Sequence, residues 1–231
     1  MFVGRKKQVL QLRRAYTERR HVVIIGPPGI GKTALLRQAR QYFPILLCEE
    51  TSSLRRIYDG LERQFGWAHR KMNLVERKNR LLPYLFRRSE PVSFDAVALT
   101  SPRVARFIHN VIERVPVWIA CRSVQPKEIG AVWQHLHRFE RIDLAPWSPN
   151  ETKAVIGAAV SVERVPPSAV NHIPELHRLA GGNPRAVEEL LIELASRDYN
   201  LDNSFERKLL DLDRRIHRTT DLVAAHVGHE H

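Results

Sequence analysis

The chain has 231 residues, of which 43% are hydrophobic, and this suits one large or two small globular domains. No apolar run approaches the roughly 20 residues that a membrane span needs, and residues 1–7 lack the apolar segment of a secretory signal. The net charge of +12 favours a polyanionic partner, nucleic acid above all, although arginine-rich solvated helices would give the same value.

Up to residue 145 the pattern alternates between strands and helices, which predicts a parallel α/β domain. The predicted elements are a helix up to Arg20, a strand over 21–25, a helix to about Tyr42, a strand over 45–48, helices from Leu54 and over 74–88 with a kink or break at Pro83, a strand over 92–94, a helix over 102–114, a strand over 117–121, a helix around 129–137 and a strand over 139–144. Cys48 and Cys121 lie in apolar strands and are expected to be buried thiols, as in a reducing cytoplasm.

From Pro146 the pattern loses its strands. Helical stretches begin at Ser148 and after residues 180–184, and a further helix over 205–217 is expected to pack on them. The sequence therefore predicts an α/β domain over 1–145 and a small helical domain over 146–231. His226, His229 and His231 are interpreted as part of a polar tail rather than as a metal site.

A glycine-rich loop follows the first predicted strand. Residues 26–33 read Gly-Pro-Pro-Gly-Ile-Gly-Lys-Thr and match the phosphate-binding pattern G-x-x-x-x-G-K-[ST] at every fixed position. Glycines let successive N–H groups point at one anion, and the following helix start adds partial positive charge. Lys32 is predicted to reach the β- and γ-phosphates, and the Thr33 hydroxyl to ligate Mg²⁺. The alternative is a turn with a solvated Lys32, but a chance match rarely falls between a strand and a helix.

Five segments, in this order, resemble those of AAA+ P-loop ATPases, nearest to the replication-initiator and STAND-type members and the small transposition or secretion ATPases. Residues 2–5 resemble the entry motif whose backbone lies against adenine, residues 26–33 the Walker A loop, and residues 92–95 the Walker B strand. Residues 118–123 resemble the strand that ends in the sensor 1 polar residue, and residues 181–185 the sensor 2 motif that opens a lid helix. The Walker A loop is a strong signal by itself, whereas the other four segments support the resemblance only because they occur in this order.

The resemblance implies a parallel five-stranded P-loop sheet flanked by helices, a small all-helical lid, and ATP and Mg²⁺ as ligands. The metal ligands are expected to be Thr33 and Asp95. The expected nucleotide contacts are Val3, Gly4, Arg5, Pro28, Gly29, Ile30, Gly31, Lys32, Thr33, Ala34 and Arg185. The expected catalytic residues are Lys32, Asp95, Arg122, Ser123, Arg138 and Arg185.

Each of these roles has a structural alternative. Asp95 would hold Mg²⁺ through water, or it is a strand-end turn residue. One of Arg122 and Ser123 would hydrogen-bond the γ-phosphate or the attacking water, or the arginine caps a loop. Arg185 would reach back over the triphosphate and link lid closure to the nucleotide, although the Asn-Pro pair before it also suits a plain helix start.

An arginine before the fifth strand is expected, by the same resemblance, to reach a neighbouring subunit's nucleotide. Arg138 and Arg141 lie in that region, and a solvated arginine at a strand edge is the alternative for both. Such an arginine would make ATP binding favour a homo-oligomeric ring or filament.

The chain departs from the family pattern at one position. Where a hydrolytic AAA+ enzyme has a glutamate directly after the Walker B aspartate, this chain has Ala96. The alternative is that Glu49 or Glu50 at the end of the second strand replaces it, although the resemblance places this strand at the far edge of the sheet. The sequence therefore predicts ATP binding but slow hydrolysis, because positioning and electrostatics supply nearly all the catalysis of phosphoryl transfer.

The sequence thus predicts a cytoplasmic AAA+ module whose nucleotide state switches self-assembly or contact with DNA or a partner protein. Two alternatives stay open, a true ATPase with a non-standard catalytic carboxylate and a non-hydrolysing signalling or scaffold protein. A pure nucleic-acid binder would leave the glycine loop unexplained.

Overall fold

The computed structural model describes residues 4–67, 72–88 and 90–227, with side chains as far as residue 220. The described residues up to Ala145 form one compact unit, and those from Pro146 onward form a second.

The first unit alternates strands and helices. Its elements are α1 (Lys6–Thr17), β1 (Val22–Ile25), α2 (Lys32–Tyr42), β2 (Leu46–Cys48), α3 (Leu54–Gln64), α4 (Leu74–Arg87), β3 (Val92–Val97), α5 (Pro102–Ile112), β4 (Val117–Cys121), α6 (Pro126–Ile129), a 3₁₀ helix (Ala131–Arg138) and β5 (Glu140–Asp143). The five strands form one parallel sheet in the order β2-β3-β4-β1-β5. The predicted fold class is confirmed.

The sheet is buried on both faces, as its nearly continuous apolar strands require. Alternate residues of β1 enter opposite cores, because successive side chains of a strand point to opposite faces. Val22 and Ile24 pack with α1 and α2, whereas Val23 and Ile25 pack with helices α3 to α5. The glycine loop and the strand ends therefore lie at the edge of a sheet that helices cover on both faces.

Three local predictions differ from the structure. The third strand runs on to Val97, because a β-bulge lets it continue past Asp95. The helix predicted around 129–137 is instead the short α6 and a 3₁₀ helix, separated at Gly130. Helix α4 continues through Pro83 without a break; Pro83 and Asn79 are both exposed, so the Asn79 carbonyl that loses its bond can face water.

Gly130 joins the segment that follows β3 to the segment that follows β4. Thr100 pairs with it in an isolated parallel bridge, and the buried Thr100 hydroxyl donates to the Ile129 carbonyl at 2.7 Å. Gly130 has φ +76°, and a Cβ built on it would lie 2.4 Å from the Thr100 nitrogen. Both the backbone conformation and the lack of space therefore require glycine there.

Gly130→Ala is expected to destabilise the chain by more than about 2 kcal/mol, because alanine would combine an unfavourable φ with a backbone clash. Urea unfolding followed by circular dichroism measures this. Gly60→Ala is the matched control, since Gly60 lies within helix α3 with open space around its Cβ position. It is expected to stabilise by about 0.5–1 kcal/mol. Equal stabilities of the two variants would contradict this account.

The second unit is helical. It contains α7 (Pro149–Ser161), a 3₁₀ helix (Pro167–His172), α8 (Ile173–Ala180), α9 (Pro184–Ser196) and α10 (Ser204–Val227), which pack around one apolar core.

Within the described part of the chain, no helix combines the length and apolarity needed to cross a membrane. Cys48 and Cys121 are buried and free, as predicted, and burial raises their thiol pKa values to about 12 and about 11.

Candidate nucleotide-binding site

The glycine loop connects the end of β1 to the start of α2. Gly29 and Gly31 have φ of 78° and 98°, in the left-handed region that glycine adopts without strain. Gly31 is the residue before the first turn of α2, and a Cβ on it would meet nothing within 4 Å. Backbone conformation, rather than lack of space, therefore explains this glycine. Pro28 and Ala34 are exposed beside it.

Lys32 turns back over the loop from the first turn of α2. Its Nζ donates to the carbonyl oxygens of Gly26 at 2.6 Å and Pro27 at 3.0 Å. Burial lowers the pKa of Lys32, and the charge of Asp95 partly opposes this shift. Among the described residues no carboxylate forms an ion pair with it, so the ammonium is held at the loop by carbonyl groups. Phosphate oxygens are stronger acceptors for the same donor.

Thr33 and Asp95 meet beside the loop. The Thr33 hydroxyl donates to Asp95 Oδ2 at 2.5 Å, and the backbone N–H of Ala96 donates to Oδ1 at 2.8 Å. Asp95 is 3% exposed. A hydroxyl and a carboxylate are the hard oxygen ligands that Mg²⁺ takes, so this donor set fits the metal that the sequence predicts. The structure thus brings together the two residues proposed from sequence as metal ligands.

Arg5 links the chain start to the glycine loop through its side chain. It precedes α1 with φ 63°, and its Nη2 donates to the carbonyl of Ile30 at 3.1 Å while the residue is 8% exposed. The sequence assigned Gly4 and Arg5 to a backbone contact with adenine, and this side-chain contact was not foreseen. Val3 lies outside the described residues.

Strand β4 lies between β1 and β3, so its end adjoins the glycine loop. The N–H of Gly26 donates to the Cys121 carbonyl at 3.3 Å. The exposed Arg122 stands 4.0 Å from Glu128, and the Ser123 hydroxyl accepts from the N–H of Gln125 at 3.1 Å. The charge of Arg122 contributes to the lowered pKa of Lys32, which puts the two cations within electrostatic reach of each other. A sensor role for Arg122 or Ser123 stays a prediction.

The arginines near β5 do not join this cluster. Arg138 precedes β5 and forms an ion pair with Glu113, next to the end of α5. The strands are parallel, so the start of β5 lies at the edge of the sheet opposite the glycine loop. Arg141 pairs with Asp143 at 2.8 Å. The role of Arg138 or Arg141 toward a neighbouring subunit stays a prediction.

Arg185 belongs to the helical unit. Its side chain pairs with Glu189 of the same helix at 2.8 Å. Asn183 accepts hydrogen bonds from the N–H groups of Arg185 and Ala186, and Pro184 occupies the first turn, so this segment does form the helix start that its sequence suggested. Its sensor role stays a prediction.

Sequence reasoning missed two contacts at the end of β2. The buried Thr51 hydroxyl donates to the Asp95 carbonyl at 3.0 Å. Arg37 of α2 donates to both carboxylate oxygens of Glu49 at 2.8 Å. The first contact depends on β2 lying directly beside β3, and the second on α2 packing over the end of β2; no local pattern in the sequence predicts either.

No family model matches the sequence, and no curated protein matches it. Solved structures do match the fold. Cdc6p from Pyrobaculum aerophilum aligns with 84% of the chain at 14% identity and a TM-score of 0.64. The ORC1 protein of Aeropyrum pernix, solved in complex with DNA, aligns with 94% at 15% identity and 0.64. A Walker-type ATPase of Pyrococcus abyssi aligns with 98% of the chain at 14% identity and a TM-score of 0.63. This alignment covers 75% of the length of that ATPase. The chain has the AAA+ fold.

At these identities the likeness concerns the AAA+ fold alone. The chain spans 61% of the Cdc6p structure and 66% of the ORC1 structure. In this AAA+ fold the strand order places the ends of β1, β4 and β3 side by side. The glycine loop and Arg122 follow the ends of β1 and β4, and Asp95 lies in the last part of β3, which explains why residues far apart in sequence lie close together.

Proposed function

We propose that the chain binds ATP and Mg²⁺ at the glycine loop, and that nucleotide state switches its self-assembly or its contact with DNA or a partner protein. The observation that carries the ATP site is the cluster at the start of α2, where Lys32 caps the loop carbonyls and Thr33 contacts Asp95. Isothermal titration of MgATP into the chain and into its Lys32→Ala variant tests this proposal. One saturable site per chain supports it.

Each group of the cluster has its own task in this proposal. The loop N–H groups and Lys32 bind the β- and γ-phosphates. Thr33 and Asp95 hold Mg²⁺, which when bound neutralises phosphate charge. Arg122 or Ser123 contacts the γ-phosphate, and Arg185 responds to the nucleotide from the helical unit. Gly4 and Arg5 approach the adenine, an assignment supported by the AAA+ fold.

Turnover is expected to be slow in this ATPase, because Ala96 supplies a methyl group where the family pattern has a water-orienting carboxylate. The alternative is a signalling or scaffold protein that keeps its nucleotide bound without hydrolysing it. Steady-state ATP hydrolysis discriminates the two. Turnover that Lys32→Ala abolishes supports the ATPase, whereas tight binding without turnover supports the scaffold.

Contact with DNA is favoured by the distribution of charge between the two units. Residues 1–145 contain 27 Lys and Arg against 12 Asp and Glu, whereas residues 146–231 contain 10 against 13. The excess positive charge therefore resides in the α/β unit. On α5, which has no acidic residue, Arg103 and Arg106 are exposed and one turn apart, with no ion pair to a described carboxylate. The ORC1 protein with the same fold was solved in complex with DNA.

Affinity for duplex DNA is expected to fall about a hundredfold between 50 and 200 mM salt, as for roughly four phosphate contacts. Replacing Arg103 and Arg106 together by alanine is expected to lower the salt slope by about two. The matched control replaces the exposed Lys153 and Arg178 of the helical unit and leaves the slope unchanged. Fluorescence anisotropy across a salt series, with and without MgATP, measures both. Salt-independent binding would contradict the assignment.

A further inference from the structure

The Walker B strand provides no carboxylate after Asp95, so a water-orienting carboxylate would have to come from another element. Phe94 pairs with Ile119 and Val97 with Cys121, so Asp95 and Ala96 together oppose a single residue of β4. Ala96 sits in this bulge with φ 51°, in the left-handed region that any residue with a Cβ adopts at a cost. The Walker B position therefore has a strained backbone and no carboxylate.

Glu49, the residue after β2, corresponds to Asp95 in the register of the two neighbouring strands. Strand β2 pairs with β3 in parallel, with Cys48 opposite Phe94, so Glu49 follows beside Asp95. Neighbouring strands are about 4.8 Å apart. Leu47 packs into the core beneath α2 and Cys48 into the opposite core, so the alternation places Glu49 on the α2 side of the sheet.

Helix α2 contacts both carboxylates with residues one turn apart. Thr33 reaches Asp95, and Arg37, four residues later on the same helix face, reaches Glu49 through two hydrogen bonds of 2.8 Å. The Thr51 hydroxyl then ties the chain after Glu49 to the Asp95 carbonyl at 3.0 Å. Helix α2 thus contacts Asp95 through Thr33 and holds Glu49 through Arg37.

We propose that Glu49 is the carboxylate that orients the attacking water in ATP hydrolysis, and that Arg37 is its positioning residue. The proposal rests on the ATP site proposed above. Glu49 accepts a hydrogen bond from the water, whose oxygen forms a bond to the γ-phosphorus. The bond from that phosphorus to the bridging oxygen breaks, its electron pair leaves on ADP, and the water proton passes through Glu49 to solvent.

Glu50 provides a matched control on the next residue. Its side chain is 65% exposed and stands 3.4 Å from Arg56 of α3 rather than against α2. Glu50 has the same charge as Glu49 and adjoins it in the sequence. Among the described residues, however, its ion pair is with α3 and not with α2, the helix that carries Lys32 and Thr33.

Glu49→Gln is expected to lower ATP turnover about a hundredfold while the affinity for MgATP stays within about threefold. Nucleotide extracted from the variant after incubation with MgATP is expected to be ATP, and from the wild type largely ADP. Glu50→Gln is expected to match the wild type in all three measurements. Arg37→Gln is expected to reduce turnover without weakening binding, since it frees Glu49 from its fixed position.

The results separate this inference from the function on which it rests. If wild type and Glu49→Gln both bind MgATP and turn it over equally, the assignment of Glu49 is wrong and the ATP site stands. If the wild type binds MgATP without any turnover, the same conclusion holds. If the wild type fails to bind MgATP in calorimetry, the proposed function is overturned together with the inference.

Discussion

Lys32→Ala is expected to weaken MgATP binding by a factor of about 100 or more. Two hydrogen bonds from a charged ammonium contribute about 1.5–3 kcal/mol each, and each 1.4 kcal/mol is about tenfold in affinity. In the structure this ammonium already makes two such contacts, to the loop carbonyls of Gly26 and Pro27, which hold it where phosphate oxygens would replace them. Isothermal titration calorimetry with MgATP measures the loss.

The matched control is Lys78→Ala on α4, on the other face of the sheet, which is expected to leave MgATP affinity unchanged. The thermal unfolding midpoint of Lys32→Ala should stay close to that of the wild type, because the mutation removes a half-buried ammonium that burial already disfavours. Unchanged affinity in a folded Lys32→Ala variant would refute the site assignment.

Asp95→Asn is expected to reduce ATP turnover about a hundredfold and to remove most of the Mg²⁺ dependence of ATP binding. Asparagine keeps an oxygen that can accept from the Thr33 hydroxyl, but it lacks the negative charge that favours a divalent cation. The substitution therefore tests the charge at a position where the geometry is nearly retained. Titrations with ATP in excess Mg²⁺ and in excess chelator measure the effect.

Asp143→Asn is the control for Asp95→Asn. Asp143 ends β5 at the same edge of the sheet, but it is exposed and paired with Arg141. Its substitution is expected to change neither turnover nor Mg²⁺ dependence. Equal effects of the two substitutions would show that the charge at Asp95 has no specific role.

The fold class could be predicted from the sequence because it depends on local patterns of residues. The glycine pattern depends on consecutive residues, and the strands of the buried sheet are short apolar runs with turns between them. Strand ends were less predictable, since β3 continues to Val97 through a bulge that no residue type announces. The prediction of one helix around 129–137 was wrong because Gly130 has a positive φ, which interrupts the helix. Gly130 pairs with Thr100, which is thirty positions away in the sequence.

The site divides in the same way. The contact between Thr33 and Asp95 follows from motif and strand order, and the structure places the two side chains together. The contact between Arg37 and Glu49 depends on how α2 packs over the end of β2, which no local pattern in a single sequence encodes. The side-chain bond from Arg5 to the glycine loop depends on the left-handed backbone of Arg5, equally invisible in composition.

The bridge between Thr100 and Gly130 has a mechanical consequence. The N–H groups of Leu99 and Thr100 donate to the carbonyls of Glu128 and Ile129, and the N–H of Ala131 donates back to Thr100. One of the joined segments leads directly from Asp95, and the other from Arg122. Displacing either segment alone would break these backbone hydrogen bonds and the buried bond from the Thr100 hydroxyl to the Ile129 carbonyl. We therefore expect the ends of β3 and β4 to move together.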